Sequence, residues 1–375
     1  MKNNTKFIFM PEYMTKFKCD GVNCEETCCA GWGISIDEDT FNRYTNTKNN
    51  GFKKLLEHKI VENRNKTFLN YGSMIITENI KCPFLNESSL CDIHGGFGEK
   101  ELCITCYNYP RIFNIIDEVY EKSALMSCPV AANLALLNKE KMDFVEGEDS
   151  IYDNKVEVRR IFDLESMSCE YTLLEYFWEI RVLSINILQN RNYSIDERLN
   201  ILEMLYGELQ QEEISDAIDR YEEKNENNKF EKLRTCSCEL NNESLRCLCK
   251  DEFMNLIKSE RFLEVICKYK KTLIECNDKN KSIYNICNEM NAVDYIIENY
   301  IVNYFFTKIM PFNNLDSIEC SVKNLVKHYN IIKAYILGIC NGNAVGENEV
   351  VKVIQCFSRC IEHNVEATEY INKYI

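Results

Sequence analysis

The distribution of cysteine is the feature that most limits what this chain of 375 residues can fold into. It has 21 cysteines but only four histidines. Nine cysteines fall within the first 128 residues, in tight groups: Cys19, Cys24, Cys28 and Cys29, then Cys82 and Cys91, then Cys103 and Cys106, then Cys128. The other twelve are spread over helical patterns, where cysteine usually serves as a small buried apolar residue. We therefore expect the chemistry of the chain in its first third.

The first residues of the chain do not resemble an export signal. Lys2 and Lys6 are followed by only four apolar residues before Pro11, where a signal peptide has roughly 7 to 15. No stretch of the sequence reaches the roughly 18 apolar residues of a membrane span. We expect a cytoplasmic protein without a membrane partner. In that reducing compartment, clustered cysteines more often bind metal or do redox chemistry than form disulfides.

Composition and charge exclude several classes of protein. With 45% hydrophobic and 27% charged residues, the chain is an ordinary globular protein and neither disordered nor collagen-like. Its net charge of -15 repels nucleic acid and favours a basic partner, such as a protein surface that carries lysines. We therefore expect no nucleic-acid binding.

The predicted fold is mainly α and has two domains. Residues 1–140 form a loop-rich N-terminal cysteine-cluster domain with a short hairpin, and residues 141–375 form an α-helical bundle domain. The hairpin is predicted over residues 111–124 because apolar residues alternate on both sides of a turn at Asp117 and Glu118. We expect the strand content to end there.

Helix signals surround this hairpin. A helix is expected around residues 52–62, and another begins at Pro129, which is favoured at the first helical position. Residues 139–160 are rich in charge and are expected to be a connector.

The second half of the chain has helical periodicity almost throughout. Ser194 and Glu197 form a capping box at the start of one helix. The apolar stripes that predict helices are Leu174, Trp178, Val182, Ile185 and Leu188; Leu199, Leu202, Leu205 and Leu209; and residues 253–266, 295–309, 325–336 before Gly338, and 350–361. The polar residues 222–235 are expected to form an exposed connection.

The nine early cysteines are the candidate metal ligands, because polarizable thiolates bind soft and borderline metals. Cys103 and Cys106 are separated by two residues, a spacing that lets two sulfurs reach one metal. The shortage of histidine favours an iron-sulfur cluster, with zinc as the alternative metal. Nine thiols allow two centres, or one centre with further thiols around it. A separate zinc site is a weaker candidate, formed by Cys236, Cys238, Cys247 and Cys249.

Around these cysteines the sequence resembles the flagellin lysine-N-methylase (FliB) family. The residues that carry the resemblance are Met10-Pro11-Glu12-Tyr13, Phe17, Cys19, Cys24-Glu25-Glu26-Thr27-Cys28-Cys29, Gly31-Trp32, Ile36-Asp37, Cys82-Pro83-Phe84-Leu85, Leu90-Cys91, Ile93, Leu102-Cys103, Thr105-Cys106, Tyr109-Pro110-Arg111 and Ser127-Cys128-Pro129. Glu362-His363-Asn364 is similar to the last helix of that family. Part of the cysteine pattern is shared with zinc/iron-chelating proteins of the YkgJ type.

The resemblance implies methyl transfer from S-adenosylmethionine to lysine side chains of flagellin, in an enzyme that carries a four-iron (4Fe-4S) cluster. Asp37, Glu25 and Glu26 are candidates to receive the lysine ammonium, and Tyr107 is a weaker one. The sequence does not assign the S-adenosylmethionine site, since the cysteine spacing of radical enzymes and a glycine-rich nucleotide fingerprint are both missing from it. Radical and polar transfer both remain open. The alternative is a zinc- or iron-binding module (metal carrier, electron-transfer protein or interaction scaffold) without methyltransferase activity.

Overall fold

A computed structural model describes residues 4–210, 213–231, 239–279, 281–285, 293–340 and 344–375. The fold is mainly α, and its contacts divide it into two compact units. The N-terminal unit comprises the described residues of Met1–Ala131 and Phe144–Ile161, and the helical unit those of Ala132–Asp143 and Phe162–Ile375. In the described ranges, no helix is both long and apolar enough for a membrane crossing. The predicted domain boundary after residue 140 stays a prediction.

The N-terminal unit combines short helices with two small sheets. Its strands are β1 (Asn4–Pro11), β2 (Ser35–Ile36), β3 (Ile60–Glu62), β4 (Gly72–Met74), β5 (Arg111–Ile116), β6 (Val119–Ala124), β7 (Phe144–Ile151) and β8 (Val158–Phe162). Its helices are α1 (Glu38–Thr45), α2 (Asn50–Leu56), α3 (Asp92–Phe97), α4 (Ile104–Asn108) and α5 (Pro129–Leu136), the last of which continues into the helical unit.

The larger sheet has the order β7-β1-β6-β5-β8. The predicted hairpin is confirmed as β5 and β6, with Arg111 opposite Ala124 and Asp117 at a φ of 52° in the turn. The expectation that strands end there is wrong, because β7 lies within the predicted connector and β8 begins in it. Strand β7 pairs antiparallel with β1 over its whole length. Because Glu146 and Glu148 are exposed and acidic, the segment resembles a charged connector, and its alternation of inward and outward residues was not recognised as a strand.

The smaller sheet, in the order β2-β4-β3, corrects the helix expected around residues 52–62. Helix α2 ends at Leu56, and the following residues form β3. His58 lies between them at a φ of 59°, in the left-handed region where a right-handed helix cannot continue.

The helical unit contains the remaining helices. They are α6 (Leu164–Ser168), α7 (Phe177–Leu188), α8 (Ile195–Glu208), α9 (Ile214–Glu226), α10 (Asn242–Cys247), α11 (Asp251–Met254), α12 (Glu260–Asp278), α13 (Asp294–Thr307), α14 (Ile318–Cys340), α15 (Glu347–Phe357) and α16 (Val365–Tyr374), with a π-helical turn at Ser358–Glu362. The capping box of Ser194 and Glu197 is confirmed at the start of α8, and the leucine stripe after it is buried.

Two predicted stripes of this unit need correction. Trp178 and Val182 are 39% and 52% exposed, so they do not belong to the buried face of α7. A 3₁₀ turn at Thr172–Tyr176 precedes α7. Because a 3₁₀ turn winds more tightly than an α-helix, the buried face of α7 is rotated relative to the face predicted for one continuous α-helix. The stripe over residues 253–266 divides into α11 and α12 because Ser259 caps the second helix, accepting from the Phe262 amide.

Two predicted helix limits were also wrong. Helix α9 extends into the supposed connection at residues 222–235, because Ala217, Ile218 and Tyr221 bury one of its faces. Gly338 does not end α14. A Cβ atom there would lie 2.5 Å from Cδ2 of Tyr269, so this glycine serves the close packing of α14 on α12.

Candidate metal centre

All nine early cysteines lie in the N-terminal unit as reduced thiols. They fall into two groups, according to whether or not they belong to or pack against the apolar core of that unit. The inner thiols are Cys29, Cys82, Cys91, Cys103 and Cys106. The outer thiols are Cys19, Cys24, Cys28 and Cys128. That these nine thiols are metal ligands stays a prediction.

Backbone pairing brings three inner thiols together. The amide of Cys82 donates a hydrogen bond of 2.7 Å to the carbonyl of Cys29, beside a bridge between Ala30 and Lys81. Leu85 in turn forms a bridge with Cys91. Segments that are 50 residues apart in the sequence are thus joined by main-chain hydrogen bonds, which need no particular side chains and give no local sequence signal.

The other two inner thiols belong to α4. Cys103 is the N-cap residue of this helix, and interaction with Cys106 lowers the pKa of the Cys103 thiol. Asp37 secures the turn, because its Oδ2 accepts a hydrogen bond of 2.8 Å from the amide of Ile104. Its Oδ1 caps α1 by accepting from the amide of Thr40. One buried carboxylate therefore ties the start of α1 to the start of α4.

The inner thiols lie in the apolar core of the N-terminal unit. Cys82 and Cys103 are core members, and Cys29, Cys91 and Cys106 pack against the core. Aromatic side chains make up much of it: Phe41, Tyr44, Phe52, Phe84 and Tyr107. A site of this kind excludes water, which strengthens every charge interaction within it.

Lys155 is a buried cation near the inner thiols that the sequence analysis did not identify. Its side chain donates to the carbonyl of Leu102 and to Oγ1 of Thr40. Burial lowers the pKa of Lys155 to about 8, and its charge favours the thiolate of Cys103. It lies between β7 and β8 in a stretch that looked like a charged connector, where nothing local signals burial.

A different scaffold holds the outer thiols. The indole of Trp32 donates a hydrogen bond of 2.9 Å to the carbonyl of Cys28 and packs edge-on against Tyr109, with ring centroids 5.4 Å apart. The Tyr109 hydroxyl lies 3.1 Å from Oγ of Ser127. Cys128 follows at the start of α5, where the amides of Val130 and Ala131 donate to its sulfur.

Glycine shapes the loop before Cys24. Gly21 has a φ of 53°, and a Cβ atom there would lie 2.9 Å from Cδ2 of Leu90. Gly31, at a φ of 91°, forms the turn after Cys29. Both need the left-handed region that glycine adopts without strain.

Hydrogen bonds within two pairs of thiols shift the pKa values of their members in a way that suits metal binding. The Cys28 thiol donates a hydrogen bond to Cys29, which lowers the pKa of Cys29 to about 7 and raises that of Cys28. Cys106 lowers the pKa of Cys103 in the same way. Burial raises the pKa of Cys82 to about 12 and that of Cys128 to about 11. In each pair, one thiol therefore has a lowered pKa, which favours the thiolate form that binds metal.

The four candidate catalytic residues have different surroundings. Asp37 is buried, and its carboxylate oxygens accept the two amide hydrogen bonds described above. Tyr107 is also buried; its hydroxyl accepts from the amide of Tyr152, and burial raises its pKa. Glu25 is exposed and Glu26 half-buried, in the loop between Cys24 and Cys28. Of the four, the two glutamates reach solvent beside the thiols.

Two further observations concern the candidate metal sites. Within the described ranges, no three His, Cys, Asp or Glu side chains are placed to hold a single metal ion as they stand. Of the weaker zinc candidate, Cys247 and Cys249 are buried in the helical unit, and Cys236 and Cys238 lie outside the described residues.

Comparison with known proteins identifies the family. The description "FliB lysine N-methylase C-terminal domain" matches residues 181–375, just over half of the chain. The chain therefore belongs to the FliB lysine N-methylase family, as the cysteine motifs of its first third had indicated.

Curated relatives agree at low identity. The chain is 28% identical over 138 residues to a lysine-N-methylase of Salmonella typhimurium and, equally, to one of Salmonella choleraesuis. Each match covers 36% of this chain and 34% of the relative, so the chain spans about a third of the length of these relatives. It is 27% identical over 153 residues to the flagellar biosynthetic protein FliU of Salmonella muenchen, covering 40% of this chain and 89% of that protein. No solved structure matches the chain.

Proposed function

We propose that this protein transfers methyl groups from S-adenosylmethionine to lysine ε-amines of flagellin, and that it depends on an iron-sulfur cluster held by the early cysteines. The observation that carries the proposal is the convergence of nine thiols in one unit of a chain that belongs to the FliB lysine N-methylase family. The names of the lysine-N-methylase and FliU relatives support the lysine target and the flagellar substrate.

The donor set of the N-terminal unit fits a thiolate-bound cluster. Backbone amides favour the thiolate form of several of these cysteines, since that of Phe84 lowers the pKa of Cys82, that of Ile93 the pKa of Cys91 and that of Cys106 the pKa of Cys103. Hydrogen bonds of this kind stabilise thiolate ligands and set the potential of a cluster. A four-iron cluster also spreads its ligands over a wider core than a single ion does. When bound, it would supply an open iron for the amino and carboxylate groups of S-adenosylmethionine.

The lysine must lose a proton before it can attack. Its ordinary pKa of about 10.4 leaves it protonated at pH 7, at a cost of roughly 4.6 kcal/mol for forming the neutral amine. In the polar route, the amine lone pair then bonds to the methyl carbon while the carbon-sulfur bond of the sulfonium breaks, and S-adenosylhomocysteine leaves. The protein has to provide an acceptor for the ammonium proton.

Glu26 and Glu25 suit this role best among the four candidates. Both carboxylate oxygens of Asp37 accept backbone hydrogen bonds, and Tyr107 is buried with a raised pKa. The glutamates stand in the loop between two outer thiols, where a lysine on a protein surface can approach from solvent. The net charge of -15 favours the approach of such a basic partner.

The test is the intact mass of flagellin co-expressed with this protein, since every added methyl group contributes a fixed increment. We expect a ladder of methylated species with the unaltered chain. Glu25→Gln/Glu26→Gln should lower methylation at least about tenfold, within the range for loss of a general base. The iron content of that variant should stay unchanged, because neither glutamate is a proposed ligand.

The matched control is Glu87→Gln, which changes an exposed glutamate elsewhere in the same unit and should methylate normally. Unmodified flagellin beside a protein with an intact metal centre would contradict the methylase. It would favour the alternative, a zinc- or iron-binding module without methyltransferase activity.

A further inference from the structure

The N-terminal unit contains a pocket of about 450 Å³ to which the proposed function has given no role. Its volume lies within the range of sites for small organic ligands. The walls come from α1 and the turn after it, from α2, and from the end of α3 with the residues that follow it. The lining side chains that carry its chemistry are Arg43, Asn46, Asn49, Phe52, Phe97 and Glu101. Aromatic rings, amides and a carboxylate together suit a ligand that has a flat ring and hydroxyl groups.

Two phenylalanines form the apolar wall of the pocket. The rings of Phe52 and Phe97 have their centroids 4.4 Å apart, at an angle of 34°. Phe52 is buried in the core of the unit and supports Phe97, which is only half-buried. Part of the Phe97 ring is therefore open to a ligand. Nucleobases stack on such rings, because every base has a π-face.

Glu101 provides a carboxylate whose position is already fixed. Its Oε2 accepts a hydrogen bond of 3.0 Å from Nε of Arg43, and both side chains are partly buried. The Arg43 guanidinium also donates to Oγ1 of Thr40 and lies over the ring of Tyr44. In dinucleotide-binding folds, an acidic side chain accepts hydrogen bonds from ribose hydroxyls. Glu101 can accept them in the same way.

Two amides complete the polar side of the pocket. Asn46 donates through its Nδ2 to the carbonyl of Asn42, and Asn49 accepts through its Oδ1 from the amide of Phe52. These hydrogen bonds hold both side chains, so that Oδ1 of Asn46 can accept from a ligand and Nδ2 of Asn49 can donate to it. An acceptor and a donor are what the amino group and a ring nitrogen of adenine require.

The pocket is built by the same segments that carry two of the inner thiols. Cys91 is the N-cap residue of α3, and Phe97 is the last residue of this helix. The helix has six residues and therefore a length of about 9 Å. Glu101 precedes Cys103 by two residues. A ligand beside Phe97 would thus lie about one short helix away from Cys91.

We propose that this pocket binds the adenosine part of S-adenosylmethionine, with the adenine on Phe97 and the ribose hydroxyls at Glu101. The methionine part then extends toward the inner thiols, where the proposed function places the open iron. The inference rests on that function, and it assigns the site that the sequence did not.

Equilibrium dialysis on the anaerobically purified full chain tests the pocket, with S-adenosylhomocysteine and 5′-methylthioadenosine as probes. The second probe has the adenosine part without the amino-acid group, so its binding reports on the pocket alone. We expect both probes to bind. Phe97→Leu keeps an apolar side chain but removes the π-face, and it should weaken both probes at least about tenfold. Glu101→Gln should also weaken both, because it removes the charge that attracts the ribose hydroxyls.

The matched control is Phe68→Leu, the same change at a phenylalanine of this unit that is 50% exposed and does not line the pocket. It should bind both probes as the unaltered chain does. The iron content and the circular dichroism of all three variants should be unchanged, because none of these residues is a proposed metal ligand.

A phosphate-bearing nucleotide is the other ligand class that the experiment separates. Lys100 also lines the pocket, and its ammonium group would suit a phosphate. We expect ADP to compete with S-adenosylhomocysteine at least about tenfold less well than 5′-methylthioadenosine does. Competition by ADP that equals or exceeds that of 5′-methylthioadenosine would overturn the proposal.

The pocket and the proposed function can fail separately. Probe binding that Phe97→Leu and Glu101→Gln both leave unchanged contradicts the pocket alone. A chain with its full iron content that binds neither probe contradicts the pocket and S-adenosylmethionine as the methyl donor. Unmethylated flagellin beside probe binding that both variants weaken contradicts the methylase and supports the pocket.

Discussion

Cysteines of the two units occupy opposite kinds of position. In the helical unit, Cys276 and Cys340 sit on long helices among apolar side chains, in step with the buried face. In the N-terminal unit, Cys91 and Cys103 directly precede short helices, and nearby backbone amides lower the pKa of each thiol. The same side chain is therefore part of the packing in one unit and a candidate ligand in the other. The backbone structure around a cysteine distinguishes a packing role from a ligand role, whereas the number of cysteines in the chain does not.

The largest expected effect tests whether a cysteine of the N-terminal unit is a metal ligand. Cys103→Ser should remove the visible absorption of the cluster, its iron, and all methylation of flagellin. Cys103 is fully buried, and a serine hydroxyl there cannot replace a thiolate ligand. Absorption spectra, iron analysis and flagellin mass measure the three losses. A chromophore that survives this change would mean that Cys103 is only a packing residue.

The next effect tests the packing of the helical unit. Gly338→Ala should lower the free energy of unfolding by about 1–3 kcal/mol, because its new methyl group would lie 2.5 Å from Tyr269. Gly33→Ala in the N-terminal unit meets no atom within 4 Å and should change stability by less than about 0.5 kcal/mol. Urea denaturation followed by circular dichroism compares them. Equal stabilities would contradict the close approach of α12 and α14.

A smaller effect is expected at a cysteine of the helical core. Cys276→Ser should cost about 1–2 kcal/mol of unfolding free energy, since it replaces a buried thiol by a more polar hydroxyl. The iron content and the visible spectrum should be unchanged. If this variant lost metal, the distinction between packing cysteines and ligand cysteines would fail.

The smallest effect concerns Asp294, the first residue of α13. Burial raises its pKa from 3.8 to about 6, so the folded chain binds more protons than the unfolded chain between these pH values. Its contribution to stability is complete below about pH 4 and is lost as the pH rises through 6. The stability of Asp294→Asn relative to the unaltered chain should therefore increase from pH 4 to pH 7, by about 1–3 kcal/mol. A constant difference across this range, measured by urea denaturation, would refute the shift.

Local signals allowed much of the fold to be predicted. The hairpin of β5 and β6, the helix that starts at Pro129 and the capping box of Ser194 are confirmed, because each depends on neighbouring residues. The pairing of β1 with β7 could not be predicted in this way. Its partners are about 140 residues apart, and the acidic residues of β7 resemble a connector.

For the candidate site too, local signals could be predicted from the sequence and contacts between distant residues could not. Spacing and proline context predict all nine cysteines as metal ligands, since thiols close in sequence are typical of metal sites, and this remains a prediction. Lys155 was missed because its side chain contacts Thr40 and Leu102, which are distant from it in the sequence.

X-ray absorption at the iron edge, on the anaerobically purified chain, tests most directly whether the early cysteines gather around iron. Our account predicts that sulfur atoms surround each iron and that further iron atoms lie just beyond them. A first shell of nitrogen and oxygen, or a protein that contains no iron, would contradict it.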